Sequence, residues 1–354
     1  MPFRLLLFLL FVGSLSQSFA MRAVGQGCRR FSSVNHRLVT VGEESQELGP
    51  VMFKERFDAL VQLVKDAKRL VVLTGAGIST SSGIPDYRGP QGSYSQGHKP
   101  MTWDQFLDNH GNRQRYWSRS TFGYEKFREA RPNDAHYALA RMEAAGKVSA
   151  SFKPDRHHRH STGVITQNVD RLHSNAGSRN VIDLHGANSR VVCTECGSKR
   201  SRNAFQDHLG RINWRWLAEQ RERQAVRADG DTELSGAKYE DFHVPHCERC
   251  NGVLKPDVVF FGDQVPRDRV DKCFAAVGEA DMMLVAGTSL MVYSGYRFVE
   301  RAAKEGKPVA GEDRYIRTAY SATKESFAKD AAPPSRFHTF YQLAATSQRA
   351  WHMT

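Results

Sequence analysis

The first 42 residues contain no aspartate or glutamate, although the whole chain has 38 acidic residues. They do contain five arginines, which are Arg4, Arg22, Arg29, Arg30 and Arg37. An acid-free segment with arginine and serine is typical of an organelle transit peptide, and Met21 would be a suitable start for one. We therefore expect residues 1–42 to be a targeting presequence outside the fold.

The chain also lacks a long hydrophobic run at this end. The apolar stretch in residues 4–20 is too short to span a bilayer comfortably, so we expect no membrane span in the mature chain. It ends in small residues at a plausible cleavage point, as in a secretory signal. We favour the mitochondrial matrix, and a plastid reached through a signal followed by a transit segment is the alternative.

No long basic run accompanies the formal net charge of +12, and no basic stripe with interleaved aromatics surrounds the cysteines. These absences argue against a protein that recognises nucleic acid by sequence, although a basic surface would tolerate acidic partners. Internal repeats are missing too. With 354 residues, 40% hydrophobic and 25% charged, the chain is typical of a globular protein that can bury a sizeable core.

Apolar strands alternate with helical segments, which predicts an α/β fold with a Rossmann-like parallel sheet and helices on both faces. The predicted strands are LVVLTGAG, GVITQN, NVIDLHG, LKPDVVFFGD and DMMLVAGTS. FKERFDALVQLVKDAKR has the apolar spacing of an amphipathic helix. A second helix follows Pro132, with Asp134 in its first turn and Gly146 at its end.

The domain organisation follows from where this alternation is interrupted. Residues 43–190 form the first part of the Rossmann-like domain, and residues 253–310 form its second part. A helical insertion is expected at 95–130, an atypical insert at 147–162, a small zinc-binding module at 191–252 and an atypical tail at 311–354. The insert contains His157, His158 and His160, which fit a solvated loop better than a metal site.

Four of the six cysteines form two Cys-x-x-Cys pairs separated by fifty residues: Cys193, Cys196, Cys247 and Cys250. Each pair places two thiolates on one tight turn, and two such turns complete a tetrahedral zinc site. Two disulfides or a redox-active pair are the alternatives, but a bridge between residues three apart is strained. The sequence therefore predicts one structural zinc ion. We expect Cys28 to belong to the presequence and Cys273 to be a core thiol.

The loop Gly75-Ala76-Gly77 follows a buried strand, where glycines let the backbone approach a pyrophosphate and the next helix offers free N–H groups. The acidic residue that would bind an adenine ribose about 20 residues later is missing, because that region is YSQGHKP. A standard dehydrogenase is therefore disfavoured. The segment from Ile84 to Arg88 adds a rigid bend, an aromatic ring and a guanidinium beside the loop.

Polar side chains also follow two other predicted strands. Gln167, Asn168 and Asp170 come directly after one strand, and His185 ends the next. Ligands bind at the carboxyl ends of strands in open α/β sheets. A lone histidine is more often structural, but one that shares a crevice with an amide cluster and a glycine loop is a candidate base.

Together these segments resemble the sirtuins, the NAD-dependent protein deacylases. The resemblance lies in GAGISTSSGIPDYR, TQNVDRLH, LHG, both Cys-x-x-Cys pairs, LKPDVVFFGD and GTSLMVYSGYRF, in the family's order and over roughly residues 50 to 310. GIPDYRGP, RYWSRS and LKPDVVFFGD are similar to the class II, mitochondrial-type branch. The resemblance implies that NAD is a co-substrate and that acyl-lysine proteins are the substrates.

The resemblance also implies a reaction. The acyl oxygen of the acyl-lysine attacks the nicotinamide ribose, nicotinamide leaves, and an alkylamidate forms. His185 would then act as the general base on a ribose hydroxyl, and its ordinary pKa lies close to working pH. Asn168 and Asp170 would position the nicotinamide end, while Gln167 holds the ribose and Tyr87 screens the reactive carbon. Free lysine, nicotinamide and acyl-ADP-ribose would be the products.

The resemblance assigns a specific set of residues to each ligand. Those assigned to NAD are Gly75, Ala76, Gly77, Ser79, Thr80, Ile84, Pro85, Asp86, Tyr87, Arg88, Gln167, Asn168, Val169, Asp170, Gly287, Thr288 and Ser289. Substrate backbone would pair as an added strand with Val258, Val259, Phe260, Phe261, Gly262, Val292 and Tyr293. Side chains between Tyr116 and Phe127 would contribute to the acyl pocket. We expect a monomer.

Two regions depart from the family pattern. The insert at 147–162 precedes GVITQN directly and would displace that strand if it packed against the sheet. After EGKPVA the chain lacks the family's apolar strand ending in Asn, so the sheet edge and the adenosine contacts are expected to be incomplete. The class II resemblance leaves protein mono-ADP-ribosylation as an alternative function, and the atypical tail leaves a catalytically weak NAD-binding or zinc scaffold as another.

Overall fold

The computed structural model describes residues 58, 60–90, 92–148, 163–220, 232, 234 and 236–311. The predicted presequence, residues 149–162 of the insert and residues 312–354 of the tail lie outside this part of the chain. Every helix within it is too short or too polar to cross a membrane.

Strands and helices alternate along most of the described chain. The strands are β1 Leu70–Thr74, β2 Gly163–Thr166, β3 Val181–Asp183, β4 Gly186–Cys193, β5 Lys199–Ser201, β6 Leu254–Val258, β7 Met282–Ala286 and β8 Val309–Gly311. The helices are α1 at 60–66, α2 Trp103–Asp108, α3 His110–Glu129, α4 Asp134–Ala144, α5 Leu172–Asn175, α6 Arg202–Ile212, α7 Trp214–Glu219, α8 Arg267–Glu279 and α9 Tyr293–Lys304. Short 3₁₀ helices occupy Ala76–Ser82 and Tyr239–Asp241.

The main sheet has five parallel strands in the order β3-β2-β1-β7-β8. Alternate side chains of its central strand β1 enter different cores. Leu70 and Val72 pack with residues of α1 and α4, whereas Val71 and Leu73 pack with α8 and α9. Burial on both faces explains the continuous apolar run of this strand. The predicted parallel sheet with helices on both faces is confirmed.

The helix after Pro132 forms as predicted, because both of its ends carry clear signals. The Asn133 side chain caps the N-terminus by accepting hydrogen bonds from Ala135 and His136 N–H. Gly146, just past the C-terminus, has a φ of +73°, a conformation that favours glycine.

The prediction that LKPDVVFFGD belongs to the parallel sheet is wrong. Its strand, β6, pairs antiparallel with β4 in a separate sheet of order β5-β4-β6. Charged residues at alternate positions, Lys255 and Asp257, suit a strand whose second face makes ion pairs. This small sheet crosses both predicted boundaries of the zinc module, since β4 begins at Gly186 and β6 follows residue 252.

The predicted helical insertion and the predicted zinc module share one hydrophobic core. Trp117 and Phe122 of α3 pack with Phe205 of α6 and with Leu254 of β6. The Trp117 indole also donates a hydrogen bond of 3.1 Å to the Leu254 carbonyl. Two segments that are far apart in sequence therefore depend on each other for burial.

Both regions that depart from the family pattern leave the sheet in place. β2 follows the insert at once and keeps its parallel register on β1, with Val164 opposite Val72. β8 pairs with β7 from Val309 to Gly311, so the sheet edge extends to the first residue of the predicted tail.

Candidate functional site

The glycine loop packs directly against the loop that follows β7. Gly77 N–H donates a hydrogen bond of 2.8 Å to the Gly287 carbonyl. A Cβ on Gly77 would lie 2.9 Å from that oxygen, and one on Gly287 would lie 2.3 Å from the Ile78 nitrogen. Glycine is required here because side chains would push the two loops apart. The next helix in the chain is the short 3₁₀ helix Ala76–Ser82, which begins within the loop itself.

The segment from Ile84 to Arg88 folds back on itself. Asp86 accepts a hydrogen bond of 2.8 Å from Gly89 N–H, which closes a tight turn. The Tyr87 ring lies 5.8 Å from the ring of Phe261, and the Arg88 guanidinium lies 5.0 Å from the centre of the Tyr94 ring. Tyr87 therefore stands next to the predicted substrate segment. Its screening role and the contact of Arg88 with a diphosphate stay predictions.

Three predicted residues meet in one buried hydrogen-bond network around Ser79. Its hydroxyl donates to Asp170 over 2.7 Å and accepts from the Asn168 amide over 3.0 Å. Burial raises the pKa of Asp170, although hydrogen bonds from Leu172 N–H, Ser79 and Asn168 act in the opposite direction. The structure thus brings together an amide and a carboxylate in fixed orientations.

Two buried histidines that the sequence analysis missed lie beside this network. His136 Nε2 is 3.5 Å from the Ser79 hydroxyl, and its ring centre is 4.8 Å from that of His173. Burial lowers the pKa of His136 to about 4. The available signal was a histidine on the otherwise apolar buried face of α4.

Gln167 is held between the loop after β7 and the start of α9. Its amide donates a hydrogen bond of 2.8 Å to the Thr288 hydroxyl. A Cβ on Gly295 would lie 2.8 Å from the Gln167 side chain, so the start of α9 approaches it closely. Of the other predicted residues, Thr80 bonds the Gly77 carbonyl and Val169 packs near Ile84.

His185 lies at the end of β3 with both ring nitrogens engaged. Nδ1 is 2.9 Å from the Gln167 carbonyl, and Nε2 is 2.9 Å from the Ser294 hydroxyl. Burial lowers the pKa of His185 to about 4, which differs from the expected value near working pH. Ser294 was missed, since a serine in VYSGYRF carries no distinctive signal in the sequence.

The predicted substrate segment is attached to the backbone of His185. Val259 N–H donates a hydrogen bond of 2.8 Å to the His185 carbonyl. Gly186 makes this approach possible: its φ is +85°, and a Cβ there would lie 2.0 Å from the Asp257 carbonyl. The Phe261 carbonyl accepts from Trp103 N–H, so an added strand would use the remaining backbone groups of this segment.

The residues of the second predicted substrate loop and of the predicted acyl pocket lie in several different surroundings. Val292 has extended backbone and Tyr293 is 67% exposed. Tyr116 packs against Phe260 with 5.3 Å between ring centres. Trp117 is buried in the core of the small sheet instead. Phe127 packs against Ile84 and Leu172.

The four predicted zinc ligands converge. Their sulfur atoms all lie within 4.8 Å of one another, with Cys193 and Cys250 3.5 Å apart and Cys196 and Cys247 3.7 Å apart. A tetrahedral zinc site with Zn–S bonds of about 2.3 Å has sulfurs about 3.8 Å apart. All four thiols are free, so the two alternatives based on disulfides are not favoured. The residues fit a structural zinc ion.

Cys273, the fifth described cysteine, lies in α8 and is fully buried in the core. Burial raises the pKa of its thiol to about 12. This confirms the prediction of a core thiol.

Comparisons with known proteins point consistently to one family. The model of the Sir2 family matches residues 75–294. NAD-dependent protein deacetylase 2 of Bradyrhizobium diazoefficiens is 48% identical over 252 residues, which cover 71% of this chain and 86% of the relative. NAD-dependent protein deacylase SRT2 of Arabidopsis thaliana is 38% identical and covers 80% of both chains.

Solved structures agree with the sequence relatives. A complex of Sir2 with a p53 peptide and NAD⁺ is similar with a TM-score of 0.51 and 27% identity, covering 76% of this chain and 98% of that chain. A mutant Sir2 homologue in complex with ADP-ribose has a TM-score of 0.54 and 25% identity, covering 84% and 98%.

Proposed function

The chain belongs to the Sir2 family, and from this premise we propose that it is an NAD-dependent protein-lysine deacylase. It cleaves NAD, transfers the acyl group of the lysine to ADP-ribose and releases nicotinamide. One observation carries the proposal. The imidazole of His185, the Asn168–Asp170 network and the glycine loop meet at the carboxyl ends of neighbouring parallel strands.

The site fits NAD because a glycine loop and polar groups held in fixed orientations lie at the carboxyl-end edge of the same parallel sheet. The loop from Gly75 to Gly77 would hold the diphosphate, and Asn168 with Asp170 would hold the nicotinamide end. Bound NAD supplies a glycosidic bond whose cleavage releases nicotinamide. His185 Nε2 is the ring nitrogen that would accept a proton from a ribose hydroxyl. The Gln167 carbonyl, which accepts from Nδ1–H, stabilises the positive charge that the ring then carries.

The test measures nicotinamide release by the purified protein with NAD and lysine peptides bearing acetyl, propionyl, lipoyl or dicarboxyl-type acyl groups. Release that depends on an acyl-lysine peptide, with loss of the acyl group, supports deacylation. Transfer of labelled ADP-ribose to protein would select mono-ADP-ribosylation instead. If NAD is consumed in neither assay, the chain is a scaffold. The panel also identifies the preferred acyl group.

We also infer a mitochondrial location and membership of the class II branch. What supports the location is the acid-free, arginine-bearing sequence of residues 1–42. A fluorescent protein fused to residues 1–42 should label mitochondria. A fusion that starts at Met21 should do the same. Labelling of plastids would favour the bipartite alternative. A monomer is expected from light scattering. Binding to DNA of one sequence that is much tighter than binding to unrelated DNA at the same salt concentration would contradict the absence of a nucleic-acid role.

A further inference from the structure

We propose that Ser294 is a positioning residue for the general base. Its hydroxyl donates a hydrogen bond to His185 Nε2 and so holds the ring in place. The ribose hydroxyl displaces the Ser294 hydroxyl from Nε2 when it binds. The inference rests on the proposed deacylase function. It concerns a residue outside the glycine loop, the Asn168–Asp170 network and the cysteine site.

The direction of the hydrogen bonds follows from the partners of the two ring nitrogens. A carbonyl oxygen only accepts, so the contact of 2.9 Å with the Gln167 carbonyl places the proton of a neutral ring on Nδ1. Nε2 then has a lone pair and no proton. The Ser294 hydroxyl, 2.9 Å away, must donate to it. Ser294 therefore engages the atom that the mechanism requires as the base.

The segments that carry the two orienting groups are packed against each other. Gly295 approaches the Gln167 side chain so closely that a Cβ would lie 2.8 Å from its Cδ. Farther along α9, Phe298, Val299 and Ala302 are buried in the core. The start of this helix is consequently fixed relative to β3. Ser294 and Gln167 hold the ring at two points from two rigid elements.

A serine suits this role because its hydroxyl can be released without moving the backbone. The Nε2 lone pair accepts one strong hydrogen bond, so the ribose hydroxyl has to displace the Ser294 hydroxyl before it can transfer a proton. Rotation about the Cα–Cβ bond of serine moves the hydroxyl between staggered positions. No covalent bond to Ser294 forms or breaks.

The two halves of the reaction can be measured separately. Nicotinamide leaves before the base acts, so exchange of labelled nicotinamide into NAD reports the first half. Loss of the acyl group requires His185. We expect Ser294→Ala to lower acyl-lysine turnover about threefold to tenfold, the value of one hydrogen bond, and to leave exchange unchanged. The ratio of exchange to deacylation should rise by the same factor.

Two variants serve as controls. Ser294→Thr keeps the hydroxyl and should retain the wild-type ratio. Ser189→Ala removes an exposed hydroxyl four residues after His185 and should change neither rate. Thermal unfolding of all three variants verifies that each is folded. Equal losses of exchange and deacylation in Ser294→Ala, or no change in either, would overturn the inference.

A measurement on the free protein separates this inference from the proposed function. Nitrogen-15 NMR of the histidine rings, with the His185 signals assigned by their loss in His185→Ala, reports the hydrogen bond to Nε2. The Nε2 signal should move in Ser294→Ala and stay in place in Ser294→Thr. An unmoved signal rejects the contact even if the protein is an active deacylase. A wild-type protein with no peptide-dependent exchange rejects the proposed function instead, whatever the NMR result.

Discussion

His185 owes its properties to burial and to its two polar contacts. Burial disfavours the charged ring and lowers the pKa to about 4, so the neutral form, with one unprotonated ring nitrogen, dominates at neutral pH. The contact of Nδ1 with the Gln167 carbonyl then sets which nitrogen has the lone pair. A base of this kind is weaker than an ordinary histidine, but it is almost always available. The cation formed in the reaction is stabilised by the same carbonyl.

Replacing His185 by alanine should abolish turnover without unfolding the protein. A general base contributes roughly 100-fold to 10,000-fold to a rate, so deacylation should fall by at least about 100-fold. Nicotinamide exchange, which precedes the base, should persist. Steady-state rates and thermal unfolding check both expectations, and an unchanged deacylation rate would remove His185 from the role of base.

The lowered pKa of His185 predicts the pH dependence of the reaction. A base with a pKa of about 4 stays deprotonated above that value, so activity should hold as pH falls through the ordinary histidine range near 6.5. The acid limb of kcat/KM should begin below about pH 5. Arg269 and Arg297 near the ring act in the same direction as burial. Because kcat/KM reports the ionisation of the free enzyme, a limb near pH 6.5 would contradict the lowered pKa of His185 as the base.

The cysteine site is built from two similar turns on the small antiparallel sheet. Cys193 ends β4, and the turn after it returns at Gly197, with a hydrogen bond of 3.1 Å from Gly197 N–H to the Cys193 carbonyl. In the second turn Asn251 N–H bonds the Cys247 carbonyl over 2.8 Å. The metal would link these two turns. Because α3 packs on the same sheet, a zinc ion held by the four cysteines would support elements beyond its own ligands.

Cys247→Ser should release zinc and unfold the small sheet. Serine is a poor zinc ligand compared with a thiolate, so the tetrahedral site loses one of its four bonds. Zinc content by elemental analysis should fall from one ion per chain, and soluble yield should fall with it. Glu248→Gln changes an exposed neighbour that contributes no sulfur and should retain the metal. A stable, soluble Cys247→Ser protein without zinc would contradict the structural role.

At the scale of the whole molecule, one carboxylate connects the small sheet to the helix layer of the parallel sheet. Asp257 on β6 accepts hydrogen bonds from Arg190 over 2.8 Å, from Lys199 over 3.2 Å and from Arg269 of α8 over 3.2 Å. Burial by itself would raise the pKa of Asp257, but the hydrogen bonds and charges of Arg190 and Lys199 lower it overall. The two sheets are therefore joined by charge as well as by packing.

Asp257→Asn should destabilise the folded chain by about 2 kcal/mol. This is less than the about 3–5 kcal/mol for breaking a fully buried pair, because Arg190 and Lys199 reach solvent. A lowered carboxyl pKa means that the stabilisation is present above the ordinary value and is lost as pH falls through the folded value. Urea unfolding should therefore show the difference at pH 7 and a smaller one below about pH 4.

Asp271→Asn is the matched control for this experiment. Asp271 pairs with Arg267 on the exposed side of α8, and such surface pairs contribute about 0–1 kcal/mol. The control should lie close to wild type at every pH. If Asp257→Asn behaves like Asp271→Asn, the connection between the sheets is due to packing alone.

Much of this arrangement follows from local patterns in the chain. The continuous apolar runs of β1, β2 and β7 specify strands buried on both faces, and a parallel sheet is what buries them. Residues that directly follow such strands must lie at one edge, which is why the glycine loop, Asn168 and His185 were predicted together. Each Cys-x-x-Cys turn likewise places its two sulfur atoms close together through local backbone structure alone. None of these inferences requires knowledge of distant contacts.

The remaining features depend on contacts between segments that are distant in sequence. The place of β6 was decided by its partner β4 and by the charges that surround Asp257. The link between Ser294 and His185 joins residues 109 positions apart, and the pKa of His185 depends on the atoms around it. Local patterns in the chain specify which strands and turns form and which side chains they carry. Contacts between distant segments decided their pairing and their charge, because burial and hydrogen-bond geometry arise only when those segments pack together.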